Sequence, residues 1–203
     1  MLRKQKIAIL ISGNGSNMKA IVKNTLTGIL KEVCEVSVVI SNKKEISGFL
    51  LARELGVKAE CIESKGISRK AFEEKLLSCL KENLVDYIVL AGFMRILTPK
   101  VLNHYRMRVI NIHPADTHLH QGIDGYLWAY QRGLDETKIT IHYVDEGVDT
   151  GKIIAQRPLL LQGLKSLEEV IEKGLEVEHE FYSEVLLEVF LKAGRNLCVA
   201  SLE

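Results

Sequence analysis

Three polar residues in the middle of the chain have the types that acid–base and carbonyl chemistry require. Asn111 and His113 close an apolar run that ends at Pro114, and Asp149 follows further along the chain. Alternate side chains of an extended strand share a face, so Asn111 and His113 should point the same way. An amide donor and an imidazole then stand side by side at the C-terminal end of a strand, where open α/β sheets bind ligands. We therefore expect an enzyme with a catalytic site at Asn111, His113 and Asp149.

A glycine-rich turn after the first apolar run is the second candidate site, and its residues are Gly13, Asn14, Gly15, Ser16 and Asn17. Glycines allow a tight turn, and the amides that follow lie at a helix N-terminus, which favours an anion such as phosphate. Met18 stands where a dinucleotide-binding fingerprint has its third glycine, and Asn42 stands where that fold expects a ribose-binding acid. The pattern thus disfavours a nicotinamide cofactor. A tight turn that binds nothing remains the alternative.

Short apolar runs alternate with segments of helical spacing along the first half of the chain. The runs rich in Val, Ile and Leu predict strands at 6–12, 35–41, 57–62, 86–91 and 107–112. The segments between them predict helices at 17–26, 47–55, 68–83 and 98–104, with Ser47, Ser68 and Thr98 as N-caps. Such alternation is typical of a parallel sheet with helices on both faces.

The second half of the chain continues this pattern with longer elements. We expect loop and helix at 122–133, strands at 138–144 and 153–161, and a long helix at 166–192 that stops at Gly194. No repeat or linker interrupts the sequence. The prediction is an α/β fold: a single Rossmann-like domain over 1–203 with a mostly parallel sheet and helices on both faces, and with 194–203 as a C-terminal tail.

Composition excludes several functional classes. The chain has 203 residues and a net charge of +1, which gives no electrostatic case for nucleic acid or an anionic membrane. Its four cysteines are scattered, as in a reduced cytosolic protein rather than a disulfide scaffold. No apolar stretch is long enough to span a bilayer. We expect a cytoplasmic protein that acts on small molecules.

Taken in order, the motifs resemble those of the folate-dependent formyltransferases. The resemblance lies in residues 11–17, 41–43, 90–97, 111–114, 142–151 and 178–179 and extends to about residue 193. It implies a formyltransferase fold that transfers the formyl group of 10-formyltetrahydrofolate to the amine of phosphoribosylglycinamide in purine biosynthesis. We expect no metal cofactor, and the sequence leaves the oligomeric state open between a monomer and a homodimer.

The resemblance assigns residues to three roles. Asn111, His113 and Asp149 match the catalytic trio. The acceptor and its phosphate would be bound by Gly13, Asn14, Gly15, Ser16, Asn17 and Glu178. The folate would be bound by Arg69, Met94, Arg95, Ile96, Leu97, Asn111, His142 and Val144.

The implied reaction explains why those residue types are needed. When an amine attacks the formyl carbon, the carbonyl oxygen becomes an oxyanion that a protonated His113 and the Asn111 amide can stabilise. Asp149 should favour the imidazolium, raise the pKa of His113, and accept the amine proton directly or through water.

Two departures from the family leave the acceptor open. Residues 115–122 read Ala-Asp-Thr-His-Leu-His-Gln-Gly where relatives usually have Ser-Leu-Leu-Pro-Lys, and Leu175 stands where many relatives have a polar or basic residue. The alternatives are a formyltransferase or hydrolase with another acceptor (a sugar-nucleotide amine, an aminoacyl-tRNA or water) and a non-catalytic folate- or nucleotide-binding protein. The absence of a basic patch disfavours the tRNA.

Several assigned residues also have simpler interpretations. Arg69 and Arg95 are candidates for surface ion pairs, and Glu178 for a solvated helix residue. A metal site at His113, Asp116, His118 and His120 is a further alternative, but formyl transfer as described needs no metal.

Overall fold

A seven-stranded sheet forms the centre of the computed structural model, which describes residues 3–200, with side chains up to residue 195. The strand order is β3-β2-β1-β4-β5-β6-β7. The first five strands are parallel, whereas β6 pairs antiparallel with β5 and β7 pairs antiparallel with β6. The strands are β1 (Gln5–Ile11), β2 (Cys34–Ser41), β3 (Ala59–Cys61), β4 (Tyr87–Leu90), β5 (Val109–His113), β6 (Glu136–Tyr143) and β7 (Ile153–Leu160).

Six helices cover the two faces of the sheet: α1 (Ser16–Thr27), α2 (Ser47–Glu54), α3 (Arg69–Glu82), α4 (Pro99–His104), α5 (Gly125–Gln131) and α6 (Leu167–Ala200). Alternate residues of β1 enter opposite cores, because successive side chains of a strand point to opposite faces. Ile7 and Ile9 pack with α1, α2, α5 and α6, whereas Ala8 and Leu10 pack with α3 and α4. The fold is the mostly parallel sheet with helices on both faces that the sequence predicts. No helix within residues 3–200 is long and apolar enough to cross a membrane.

Element boundaries differ from the predictions where local signals compete with packing. Helix α6 continues through Gly194 to Ala200, so the predicted stop is wrong. A glycine that ends a helix usually adopts a positive φ, and Gly194 does not. The end of the predicted tail, 201–203, lies outside the described residues.

The predicted N-caps have three different outcomes. Ser68 caps α3 by accepting a hydrogen bond from the amide of Ala71, as predicted. Thr98 occupies the N-cap position of α4, but its side chain makes no capping bond, because its hydroxyl donates to Glu73 instead. Ser47 is the first residue inside α2 and therefore not its cap, so that prediction is wrong.

Candidate active site

A cavity of about 700 Å³ opens at the C-terminal ends of β1, β4 and β5. This is the edge of a parallel sheet where α/β proteins bind ligands. Of the predicted site residues, all but Arg69 line this cavity, including the glycine turn, the 94–97 segment, His142, Val144, Glu178 and the proposed catalytic trio. Arg69 is exposed and donates a hydrogen bond of 2.7 Å to the carbonyl oxygen of Ile96. Arg69 thus contacts the backbone of the 94–97 segment. Direct binding of folate by Arg69 stays a prediction.

The side chain of Asp149 is the centre of the polar cluster. Its Oδ2 lies 3.3 Å from Nδ1 of His113, and its Oδ1 lies 3.4 Å from Nε2 of His142. The amide nitrogen of Asn111 lies 3.2 Å from Oδ1 of Asp149 and 3.2 Å from Nε2 of His142. Asn111 and His142 are direct partners in the β5–β6 register, which explains why the two side chains meet. Four polar side chains therefore converge within hydrogen-bond range, as the sequence predicts for three of them.

The loop that follows β6 holds Asp149 in an uncommon backbone conformation. Its φ is 53°, in the left-handed region that costs a non-glycine residue of order 1–3 kcal/mol. The amide of Gly122 donates to Oδ2 of Asp149 at 2.9 Å, and Asp145 folds the loop by accepting bonds from the amide of Gly147 and the hydroxyl of Thr150. Burial raises the pKa of Asp149, but the bonds from His142 and Gly122 and the charges of both histidines outweigh it, so the pKa lies below its ordinary value.

His113 is held between two acceptors. Besides Nδ1 facing Asp149, its Nε2 lies 3.1 Å from the carbonyl oxygen of His120. His113 is 3% exposed, and burial lowers its pKa more than Asp149 raises it. Asp149 does raise the pKa of His113, as expected, but the expectation of a raised pKa overall is wrong, since desolvation of the imidazolium is the larger effect. The resting imidazole is neutral at neutral pH.

The loop at residues 115–122, which departs from the family pattern, is anchored rather than open. Asp116 is buried and accepts hydrogen bonds from Lys138 at 2.8 Å, from Gln156 at 3.1 Å and from the amide of His118 at 3.1 Å. The His120 ring stacks on Trp128 with centroids 4.9 Å apart. Because Asp116 is committed to these partners, it is a poor candidate for the metal site considered above. Within the described part of the chain, no three His, Cys, Asp or Glu side chains are arranged to hold a metal ion.

The glycine turn joins β1 to α1. Gly15 is the N-cap of α1 with a φ of 75°, and a Cβ there would lie 2.9 Å from Cε of Met18 and 3.0 Å from Cα of Gly48. A Cβ at Gly13 would meet nothing within 4 Å, so the fold requires glycine at Gly15 and not at Gly13. The first turn of α1 contains no acidic residue. The positive end of the helix dipole thus faces the cavity without a negative side chain of its own helix beside it.

Glu178 forms the wall of the cavity next to this turn. It is 5% exposed, so it is not a solvated helix residue. The amide nitrogen of Asn17 donates to Oε2, and the hydroxyl of Tyr126 donates to Oε1. Burial raises the pKa of Glu178, and these two hydrogen bonds oppose the rise. Leu175 lies one turn earlier on α6 and contributes an apolar surface to the same cavity.

Tyr126 was not predicted to be near the site. Its ring packs against α6 at Gly174, where a Cβ would lie 2.3 Å from ring carbon Cε1. A glycine inside a predicted helix is the sequence signal that another group approaches closely. The sequence alone does not say which group that is.

The predicted folate segment lies at the mouth of the cavity. Met94 and Ile96 are exposed, with 65% and 49% of their surface accessible, whereas Leu97 is buried. The guanidinium of Arg95 lies 4.8 Å from the centroid of the Phe72 ring, so this arginine stacks on an aromatic face. The amide of Met94 donates to the Ser12 hydroxyl at 2.8 Å, which ties the segment to β1. The segment thus presents apolar side chains on a fixed backbone.

The fold and this site define a class of enzyme. The chain belongs to the formyl transferase family, whose model matches residues 5–186. This confirms the family that the sequence motifs predict.

Individual relatives extend the match over nearly the whole chain. Phosphoribosylglycinamide formyltransferase of Bacillus subtilis is 34% identical over 185 residues, which are 90% of this chain and 93% of the relative. The crystal structure of phosphoribosylglycinamide formyltransferase from Bacillus halodurans superposes with a TM-score of 0.87 at 34% identity, covering 93% of this chain and 97% of that one. The trifunctional purine biosynthetic protein adenosine-3 of Drosophila melanogaster is 39% identical over 155 residues, but those are 76% of this chain and 12% of the relative. The chain therefore spans a small part of that relative.

Proposed function

We propose that the protein transfers the formyl group of 10-formyltetrahydrofolate to the amine of phosphoribosylglycinamide. The observation that carries the proposal is the convergence of Asn111, His113 and His142 on Asp149, in a cavity that the glycine turn and the 94–97 segment also line. The match to the Bacillus subtilis enzyme over nine tenths of both chains supports the choice of acceptor, since that chain has almost the same extent.

The acceptor binds on the side of the glycine turn. The amides of Gly15, Ser16 and Asn17 lie at the start of α1, and together with the helix dipole they attract the phosphate. The carboxyl group of Glu178 accepts a hydrogen bond from the rest of the acceptor, because Asn17 and Tyr126 occupy only two of the roughly four lone-pair sites of a carboxylate. The amine of the acceptor is then directed toward Asp149.

The formyl folate binds on the side of the 94–97 segment. Met94, Ile96 and Val144 supply apolar contacts for a flat ring system, and backbone groups of the segment supply hydrogen bonds to its polar edge. Arg95 and Arg69 hold this segment through Phe72 and Ile96. His142 closes the inner wall beside Asn111.

The transfer is an addition followed by an elimination. The amine nitrogen bonds to the formyl carbon, the carbonyl oxygen becomes an oxyanion, and the amide group of Asn111 donates a hydrogen bond to it, a type of contribution often worth several kcal/mol. Asp149, whose pKa is low, accepts the proton that leaves the amine. The bond from carbon to N10 of the folate then breaks, N10 takes up a proton, and tetrahydrofolate departs. Atoms and charge balance because one proton leaves nitrogen and one returns to nitrogen.

His113 contributes through a change of protonation. Its pKa is lowered in the resting site, but an oxyanion beside the ring adds a negative charge that favours the imidazolium. The carbonyl of His120 and the carboxylate of Asp149 provide an acceptor for each N–H of that imidazolium. The proton comes from the acceptor amine: Asp149 passes it to Nδ1 of His113 as the oxyanion forms, and it returns through Asp149 to N10 when the folate leaves.

The test is a comparison of acceptors. We expect release of tetrahydrofolate when 10-formyltetrahydrofolate is mixed with phosphoribosylglycinamide, and a much lower kcat/KM with the dephosphorylated compound. Release without any amine would identify a hydrolase, and a better rate with a sugar-nucleotide amine would reassign the acceptor. No release with any acceptor would favour a folate-binding protein.

The setting of this reaction is also a proposal. We place it in the cytoplasm, which the free thiols of Cys34, Cys61 and Cys79 support because disulfides are rare in reducing compartments. The protein acts there on small molecules, without nucleic acid or membrane, as a monomer or homodimer.

A further inference from the structure

The carboxylate of Glu178 is clamped on both oxygens, although it lines a cavity. Asn17 donates to Oε2 from α1, and Tyr126 donates to Oε1 from α5. The two donors leave about half of the lone-pair sites of the carboxylate unused. Its orientation is therefore fixed by protein groups, while part of its accepting capacity stays open to a ligand.

The contact between Tyr126 and Glu178 depends on the absence of a side chain at Gly174 on α6. A Cβ at Gly174 would lie 2.3 Å from Cζ and 2.4 Å from the hydroxyl oxygen of Tyr126. A glycine in the interior of a helix is destabilising, and Gly174 lies well inside α6. The ring thus packs directly on the helix backbone one turn before Glu178, and this approach brings its hydroxyl to the carboxylate.

Resting on the proposed function, we propose that Tyr126 is a positioning residue for the acceptor: its hydroxyl holds the carboxyl group of Glu178 in the orientation that meets a donor group of phosphoribosylglycinamide. A neutral Glu178 would carry a proton on one oxygen and would lose part of its ability to accept from the substrate. Tyr126 does not line the cavity and acts through Glu178.

Because Glu178 is buried, the hydrogen bond from Tyr126 has an effect on its pKa. Burial raises the pKa of Glu178, and the bonds from Tyr126 and Asn17 oppose that rise. Tyr182 on the same helix is also titratable, but its hydroxyl donates to the carbonyl oxygens of Leu90 and Ile110. Asn17 from α1 is neutral. Removal of the Tyr126 hydroxyl therefore removes one of the two hydrogen bonds that oppose the rise in the pKa of Glu178.

The first test is Tyr126→Phe in the full chain, which keeps the ring and removes the donor. We expect the KM for phosphoribosylglycinamide to rise about tenfold, the effect of losing a hydrogen bond to a charged group. The kcat and the KM for the formyl folate should stay within about twofold of wild type. The acid limb of kcat/KM for the acceptor should move to higher pH. Tyr130→Phe is the matched control, because Tyr130 lies on the same helix and donates to the exposed carbonyl of Lys165.

A double substitution separates positioning from a general structural role. In the Glu178→Gln background, Tyr126→Phe should change the KM for the acceptor by less than about twofold, since the carboxyl group through which Tyr126 acts is absent. A full tenfold rise in that background would overturn the proposal. So would an unchanged KM in Tyr126→Phe alone.

A measurement without turnover keeps this inference distinct from the proposed function. The carboxyl ¹³C resonance of Glu178, identified by its loss in Glu178→Gln, should titrate at higher pH in Tyr126→Phe than in wild type. An identical titration curve would overturn the inference. Wild-type protein that does not use phosphoribosylglycinamide would overturn the proposed function and the acceptor role, while the resonance would still report whether Tyr126 controls Glu178.

Discussion

Oδ2 of Asp149 lies 3.3 Å from Nδ1 of His113, yet the pKa of His113 is lowered, not raised. Desolvation of a ring that is 3% exposed outweighs the attraction of one carboxylate. In the proposed mechanism, the His113 ring is therefore neutral before the reaction and gains a proton when the oxyanion forms in the cavity.

Replacement of Asp149 by Asn should lower kcat by roughly two to four orders of magnitude, because the side chain keeps its shape but loses the base. His113→Ala should have an effect of similar size through loss of oxyanion stabilisation. Single-turnover kinetics measure the chemical step directly. Glu146→Gln is the matched control, since Glu146 lies in the same loop but outside the cavity. Near wild-type single-turnover rates in either variant would remove that residue from catalysis.

The lowered pKa of His113 makes the fold sensitive to acid. The ordinary pKa of histidine is 6.5, so between this value and the lower folded value the unfolded chain binds more protons. Stability should thus fall as the pH drops through that window and should be unaffected by this group above it. Urea unfolding at about pH 7.5 and about pH 5.5 measures the loss.

His113→Gln isolates this contribution. The raised pKa of Glu178 produces the opposite dependence in both proteins, so it cancels in their comparison. We expect the variant to lose less free energy of unfolding over this pH interval than wild type. Equal losses in the two proteins would contradict the lowered pKa.

Gly15→Ala should destabilise the protein by about 1–3 kcal/mol, because alanine would have to adopt a φ of 75° and approach Met18 and Gly48. The KM for the phosphorylated acceptor should also rise as the turn shifts. Gly13→Ala provides the control for stability, since its added Cβ meets no atom and its φ is not positive. Equal losses of stability in the two variants would refute the special role of Gly15.

A folate analogue should stabilise the protein against heat. Ligand at about a hundred times its Kd adds about 2.7 kcal/mol to the free energy of unfolding. Arg69→Met should reduce the gain, because the Ile96 carbonyl loses its 2.7 Å hydrogen bond and the 94–97 segment loosens. Thermal unfolding with and without a saturating 5-deazafolate analogue measures both effects. The absence of any shift in wild type would argue against a preformed folate site.

Features that depend on local pattern were predictable from the sequence. The alternation of Ile7, Ala8, Ile9 and Leu10 in a short apolar run predicts a strand buried on both faces, and β1 is one. The type and spacing of Asn111 and His113 placed them on one face of a strand end, which the structure also shows. These inferences succeed because strand geometry fixes the directions of neighbouring side chains.

Features that depend on competition between distant groups were not predictable. The direction of the His113 pKa required its burial, which no local pattern states. The contact between Tyr126 and Glu178 joins residues 52 positions apart through the space at Gly174. Gly194 was misread because the same residue type ends some helices and continues others, according to the φ it adopts. In each case the deciding information is three-dimensional.

The hydrogen bond from Asn17 to Glu178 spans 161 positions in the chain, and it joins the first helix to the last. During synthesis the glycine turn leaves the ribosome long before the carboxylate that completes its pocket. Contacts between such distant segments form late, because closing a long loop costs entropy before the new contact contributes any stabilising energy. The pocket between the glycine turn and Glu178 is therefore assembled when α6 docks on α1. A nascent chain that still lacks α6 has the glycine turn and β5, but it lacks the wall of the cavity that Glu178 forms.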